Sequence, residues 1–351
     1  MHSNYTPNRG RVTATDVTAH PASQNPAHGA KSDPFPLVTP SNRWFARHGR
    51  PLPWRDSGTS PWGVLVSEVM SQQTPVARVE PLWRAWLDRW PEPKDLAQAT
   101  PADVLRMWAN LGYPRRALRL RECAQAIVDR HAGAVPGTVS ELHALPGVGS
   151  YTARAVAAFH FGLPVPVVDT NVRRVHRRAV EGVFLPGPAR AGDLAAVADM
   201  MPFVAGDPDL ERRGYANAQQ DPARREDAVL FTAAIMELGA LVCTARSPRC
   251  EQCPVQHVCE WVRRGKPLPT ESEVASARAR VQRFEGTDRQ VRGKIMRLLR
   301  ESADGAATAA EVDLVWPDAA QLSRSLSSLV ADGLVVRDGI LGDATTYRLP
   351  H

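Results

Sequence analysis

The chain has 351 residues, which is long for one small domain and points to two or three. Hydrophobic residues make up 43% of it, enough for a sizeable core, and no apolar run approaches the ~18 residues of a membrane span. The formal net charge of +6 permits a polyanionic partner without establishing one. With no apolar signal core at the N-terminus, the expected compartment is a bacterial-type cytosol, where cysteines stay reduced. Only four lysines occur, Lys31, Lys94, Lys266 and Lys294, so arginine carries nearly all the positive charge. That suits bidentate phosphate contacts and equally fits a GC-rich genome.

Residues 1–38 are rich in Pro, Ser, Thr, Asn and Gly, lack apolar periodicity and read as a disordered tail. A helix is expected after Ser60-Pro61, running through Trp62, Leu65, Val66, Val69 and Met70, with proline suited to its first turn. Helical spacing recurs near 76–90, 101–111, 115–131, 138–144, 150–161, 171–182 and 190–201. Strand-like alternation is nearly absent. Residues 204–226 are polar and read as an exposed insertion or mobile loop; a helix resumes over about 227–242. Residues 263–285 read as a charged linker. Residues 286–351 differ: helices near 287–302, 308–315 and 318–333 precede a β-hairpin over Gly333–Gly339 and Thr345–Leu349, the outline of a winged helix.

Four motifs carry chemistry. Leu145-Pro-Gly147-Val-Gly149 lies between two helical segments. Its glycines permit a tight turn that exposes N–H groups at the next helix start, a phosphate site that needs no side-chain charge. The alternative is a plain interhelical turn. Val167-Val-Asp169-Thr-Asn-Val runs from apolar residues into a helix start. Asp169 there is either a simple N-cap or a carboxylate facing a developing cation. Ser67-Glu68-Val-Met-Ser-Gln-Gln73-Thr sets Glu68 inside an apolar helical run. Burial there raises a carboxyl's pKa toward that of a general acid; a solvated helix face is the bland reading. Gln72 and Gln73 suit either a polar surface or base edges.

The fourth motif is Cys243, Cys250, Cys253 and Cys259, spaced C-x6-C-x2-C-x5-C, with the fifth cysteine far off at Cys123. Four clustered thiolates form a ligand set for one metal site. Spacing alone does not separate Zn2+ from an iron–sulfur cluster. Arg246 and Arg249 would ride on the stapled loop.

In order, Leu52-Pro-Trp-Arg55, SEVMSQQT, Leu111-Gly-Tyr113, LPGVG, VDTNV and the cysteine spacing resemble the helix-hairpin-helix DNA glycosylases, and most closely the MutY-type adenine DNA glycosylases, over residues 40–262. The resemblance implies a mainly α protein: two helical domains over residues 39–262 flanking a DNA cleft, with one [4Fe–4S] cluster on the four cysteines. It implies a double-stranded DNA partner in which adenine, mispaired with 8-oxoguanine or guanine, is flipped from the stack. Glu68 then matches the acid that protonates adenine N7. Asp169 matches the carboxylate that stabilises the oxocarbenium-like sugar, with Tyr151 and Asn171 in support. Gln73, Leu111 and Tyr113 match residues that fill or probe the mismatch, and Arg55, Leu145, Gly147 and Gly149 fall in DNA-contacting motifs. The protein is expected to act as a monomer, without a membrane.

Lyase relatives place a nucleophilic lysine two residues after LPGVG. Here that residue is Tyr151, and no lysine occurs from 95 to 265, so a monofunctional, water-using glycosylase is expected. The sequence departs from the family at Pro114, where many members have a second tyrosine, and at Ala233, where a polar residue is common. Residues 286–351 are too few and too helical for the Nudix-like domain that often ends such chains. The rivals are a thymine glycosylase acting at G·T mismatches, against which the SEVMSQQT glutamate argues, and a non-catalytic iron–sulfur, winged-helix DNA-binding regulator.

Overall fold

The computed structural model describes residues 33–214, 221–279, 284–339 and 345–351. The expected tail over residues 1–32 lies outside them. The end of that tail does not behave as a tail: Phe35, Leu37 and Val38 are buried and lead into the helix Val38–His48. Three isolated apolar residues give no period in sequence, yet each fills a place in a core.

Helices dominate, and they build two lobes around two cores. One lobe gathers Leu52 to Val167. Its innermost element is the helix Pro61–Ser71, which starts where expected. Pro61 occupies the first turn, and the Ser60 hydroxyl accepts the Gly63 N–H at 3.1 Å. Eight of its eleven residues are buried, which is why any charged residue on it meets an apolar wall. Trp86 packs edge-on against Trp90 and Trp108, at centroid distances of 4.7 and 5.6 Å, and closes the far side.

The other lobe combines Val38–His48 with the described residues from Thr170 to Trp261. From residue 33 the chain thus starts in this lobe, crosses to build the first, and returns through residues 165–169. Its spine is the helix Arg225–Leu241, packed on Val38–His48 and on Thr170–Ala179. Gly239 permits the second contact. A Cβ there would stand 2.7 Å from Asn171 Cβ and 2.8 Å from its carbonyl oxygen.

The segment 204–226 is only partly the exposed loop its polarity suggests. Residues 215–220 lie outside the described residues. Before them, the short helix Pro208–Arg212 buries Leu210, and Asp207 is 1% exposed. The cause is an ion pair invisible in composition: Arg154, itself buried, clamps Asp207 at 2.5 and 3.0 Å and reaches Asp209 at 2.6 Å.

The C-terminal unit has helices Asp288–Glu301, Ala309–Asp313 and Ala319–Ala331 with a three-stranded antiparallel sheet. Strand Thr346–Arg348 lies between Ala306–Thr308 and Val336–Asp338. The winged-helix outline holds, and Ala306–Thr308 adds a strand to the hairpin read from sequence. The unit's own core, Val291, Ile295, Leu299, Leu329 and Leu334, is continuous with that of the first lobe. Among the described residues, no helix is long and apolar enough to cross a membrane.

Candidate active site

Glu68 and Asp169 come from opposite lobes and meet at the seam. Glu68 lies in the last turn and a half of Pro61–Ser71, and its carboxyl is pushed up to about 7. Desolvation is the largest cause. A hydrogen bond from Tyr151 and the nearby charge of Arg55 oppose the rise, and the negative field of Asp169 adds to it. A carboxyl in this state holds its proton through much of the neutral range and can still release it.

Asp169 is the N-cap of Thr170–Ala179. One oxygen accepts the Val172 N–H at 2.7 Å and the other accepts Asn171 Nδ2 at 2.6 Å. The capping role and a place beside Glu68 at the seam therefore coexist. Burial raises its pKa, while those hydrogen bonds and the Arg174 charge work to keep it ionised. The helix N-terminus favours the anion too. Tyr151 sits one residue into the helix Ser150–Phe159, its phenol beside Glu68 and 3.9 Å from Met236 Sδ. Burial, then the two carboxylates, hold that phenol well above its ordinary value, so it remains a donor. Asn171 is held from behind by Arg174, whose Nη2 donates to Asn171 Oδ1 at 2.8 Å and to the Gly239 carbonyl at 2.6 Å.

The Val139–His143 and Ser150–Phe159 helices flank the hairpin turn. Gly147 adopts φ +75°, and a Cβ there would lie 2.8 Å from Arg119 Cβ, so glycine is required twice over. Gly149 is the N-cap of the second helix, and the space around its Cα is open. Leu145 is buried and anchors the turn. Gln73 and Tyr113 are exposed and both adopt left-handed backbone, φ +56° and +48°.

Two predicted DNA contacts are placed differently from the rest. Leu111 is 3% exposed and points into the first core, where apolar packing outcompetes the surface. Arg55 donates to the buried Glu237 at 2.9 Å, alongside a bidentate Arg50 at 2.7 and 2.9 Å. Burial would raise the Glu237 carboxyl, yet the two guanidiniums win and hold it at about 2. The sequence reading missed Glu237, although its setting in an apolar helical run is the same signal that marks Glu68. It also missed Arg116, which donates to the Val69 carbonyl at 2.6 Å and so closes the end of the Glu68 helix.

The four cysteines line one small hollow with Arg178 and Trp261. Among the described residues no group of His, Cys, Asp or Glu is gathered tightly enough to hold a single metal ion. Four thiols lining one hollow are the donor set an iron–sulfur cluster takes. Arg178, 1% exposed, donates to Cys243 Sγ at 3.3 Å and to the Thr244 and Ala245 carbonyls at 2.7 and 3.0 Å.

Comparison with known proteins places this architecture in a class. Residues 66–180 match the HhH-GPD superfamily of base excision DNA repair proteins, and residues 243–259 match the iron–sulfur binding domain of endonuclease III. A thermostable thymine-DNA glycosylase superposes with a TM-score of 0.54, covering 65% of this chain and 95% of that one; at 22% identity it speaks for the fold alone. The protein is thus a helix-hairpin-helix DNA-binding protein of base excision repair, with an iron–sulfur cluster on Cys243, Cys250, Cys253 and Cys259.

The sequence relatives narrow the class. An adenine DNA glycosylase of Mycolicibacterium smegmatis is 50% identical over 293 residues, 83% of this chain and 90% of that protein. One of Mycobacterium tuberculosis is 49% identical over 296 residues, 84% and 88% of the two chains. The human enzyme is 40% identical over 224 residues, 62% of this chain and 37% of its own. This chain belongs to the adenine DNA glycosylase family.

Proposed function

We propose that the chain hydrolyses the N-glycosidic bond of adenine mispaired with 8-oxoguanine or guanine, as a monomer and without a covalent lysine intermediate. One observation carries the reading: a glutamic acid with its pKa near neutrality faces an N-capping aspartate across the interlobe seam. Glu68 donates its proton to N7 of the extruded adenine. The ring becomes a better leaving group, and the bond to C1′ lengthens. Asp169 faces the cationic sugar that develops, with its orientation held by the Val172 N–H and Asn171. Tyr151 donates to the Glu68 carboxylate that remains, which then accepts a proton from the attacking water. The Gly147–Gly149 hairpin holds backbone phosphate, and Gln73 and Tyr113 face the mismatch. The iron–sulfur group supplies no bond-making step here. Its four ligands and Arg178 fix the shape of a loop beside the second lobe.

Water, not lysine, is the nucleophile because the residue two beyond the hairpin is Tyr151. The described lysines are engaged with other partners: Lys94 with Glu92, Lys266 with Glu251, and Lys294 over the Trp316 ring. Adenine release from duplexes bearing A·8-oxoguanine, A·G and T·G, followed by alkaline cleavage, tests the assignment. Release from the adenine duplexes that is lost in Glu68→Gln is expected. Release only at T·G would replace the reading with thymine excision, and efficient borohydride trapping would overturn the monofunctional mechanism.

A further inference from the structure

The segment Ala109–Tyr113 is wound against its preference. Ala109, Gly112 and Tyr113 all adopt positive φ, at +48°, +80° and +48°, and two of the three carry a Cβ. Such a backbone persists only when its surroundings hold it. The backbone has its holders: Trp108 Nε1 donates to the Gly112 carbonyl at 2.9 Å, Thr74 Oγ1 to that of Leu111 at 3.1 Å, and Arg116 to that of Gly112 at 3.2 Å. The Tyr113 side chain, 43% exposed, is held from elsewhere. Arg289, on the first helix of the C-terminal unit, donates from Nη1 to Tyr113 Oη at 2.9 Å and lies 6.0 Å from the ring centroid; Arg116 flanks the same ring at 5.7 Å.

The C-terminal unit is fastened at this spot by more than one contact. Asp332 takes Arg115 of the first lobe at 3.1 Å on one oxygen and Arg292 of its own unit at 2.6 Å on the other. Gly305, at φ +74°, lets Arg106 approach so closely that a Cβ would stand 2.6 Å from its Nη2. The unit therefore sits on the first lobe in one register, and that register delivers Arg289 to the tyrosine.

We propose that Arg289 is a positioning residue for Tyr113, so that the C-terminal unit sets how the Ala109–Tyr113 segment meets mismatched duplex. This deepens the functional reading above and rests on its placement of Tyr113 against DNA. In this role the unit needs no lesion pocket of its own. It presents a pre-ordered aromatic ring, which lowers the ordering cost of binding.

Hydrogen exchange of residues 109–113 in the full-length, DNA-free protein tests the contact without reference to activity. Arg289→Ala is expected to raise their exchange about threefold to tenfold, the worth of one hydrogen bond. Arg324→Ala breaks an ion pair to Asp288 inside the same unit and is expected to leave the segment unchanged. With A·8-oxoguanine duplex, Arg289→Ala is expected to weaken binding by a similar factor while the single-turnover rate at saturation stays the same. Arg289→Lys, which keeps a donor, is expected to recover part of the loss. Unchanged exchange in Arg289→Ala, an equal rise in Arg324→Ala, or a fall in rate without weaker binding would each overturn the proposal. Wild-type protein that releases no adenine would instead defeat the functional reading, and the exchange result would still decide the contact.

Discussion

Replacing Glu68 by Gln should stabilise the protein, and by an amount that grows with pH. The folded carboxyl has its pKa near 7 against an ordinary 4.5, so the fold binds this proton more tightly than the unfolded chain does. The residue therefore favours the fold fully below about pH 4.5, and that contribution is lost as pH climbs through 7. Relative to the always-neutral glutamine, its cost is about 1.4 kcal/mol near pH 5.5 and about 3 kcal/mol near pH 8. The arithmetic treats one site alone, with the charge of Asp169 contributing to the rise. Gln also differs from Glu in packing and hydrogen bonding, but that difference is nearly independent of pH. The change between the two pH values isolates ionisation. At a fixed scan rate, the melting-temperature advantage of Glu68→Gln should widen by about 2–3 °C from pH 5.5 to pH 8. Adenine release should be lost throughout. An advantage that is equal at both pH values would mean that Glu68 titrates as an ordinary surface glutamate, and the general-acid argument would fall with it.

Tyr151→Phe removes the hydrogen bond that lowers the Glu68 pKa. The alkaline limb of the single-turnover rate should move up by about one pH unit, while the acid limb, set by the raised pKa of Asp169, stays; an unmoved alkaline limb would refute the coupling. Gly239→Ala tests the helix crossing at Asn171. Alanine ordinarily gains about 1 kcal/mol over glycine within a helix. Here its Cβ meets Asn171 atoms at 2.7 and 2.8 Å, so a net loss of about 1–3 kcal/mol and slower adenine release are expected; a higher melting temperature would contradict the packing. Arg178→Met removes the donor to Cys243 Sγ and leaves two loop carbonyls without it. Absorbance near 400 nm and iron content per chain should fall on mild heating faster than in the wild type, and equal retention would show that the loop holds its shape without the guanidinium.

What was legible in sequence was local. The start of Pro61–Ser71 could be read because a capping serine and a first-turn proline act within a few residues. The hairpin could be read because its glycines answer a local backbone need, and the cysteine loop because its ligands are close in the chain. The pairs that cross the seam were out of reach by any period or spacing. Glu237 lies 187 residues from Arg50, and Asp207 lies 53 from Arg154. Polarity misled at Asp207, which is buried but was read as part of an exposed loop. The cause is that burial is decided by partners distant in sequence, here Arg154, which composition does not record.

The helix Thr170–Ala179 connects the two features that sequence presented as separate motifs. Its N-cap is Asp169. One turn along, Arg174 faces both ways: Nη2 supports Asn171 and the Gly239 carbonyl, and Nε donates to the Cys243 carbonyl at 2.6 Å. A further turn brings Arg178 to Cys243 Sγ and the loop behind it, with Phe184 at 4.2 Å from its guanidinium. Two buried arginines on one face of a ten-residue helix thus join the N-capping Asp169 to Cys243, the first cluster ligand. Burying guanidiniums is costly unless their donors are satisfied, and here backbone carbonyls at the C-terminal end of Arg225–Leu241 and in the cluster loop accept them. Those carbonyls take the required geometry only while the loop keeps its fold. On the proposed mechanism the loop needs no redox step to matter: its Cys243, Thr244 and Ala245 carbonyls hold Arg174 and Arg178, Arg174 holds Asn171, and Asn171 donates to Asp169.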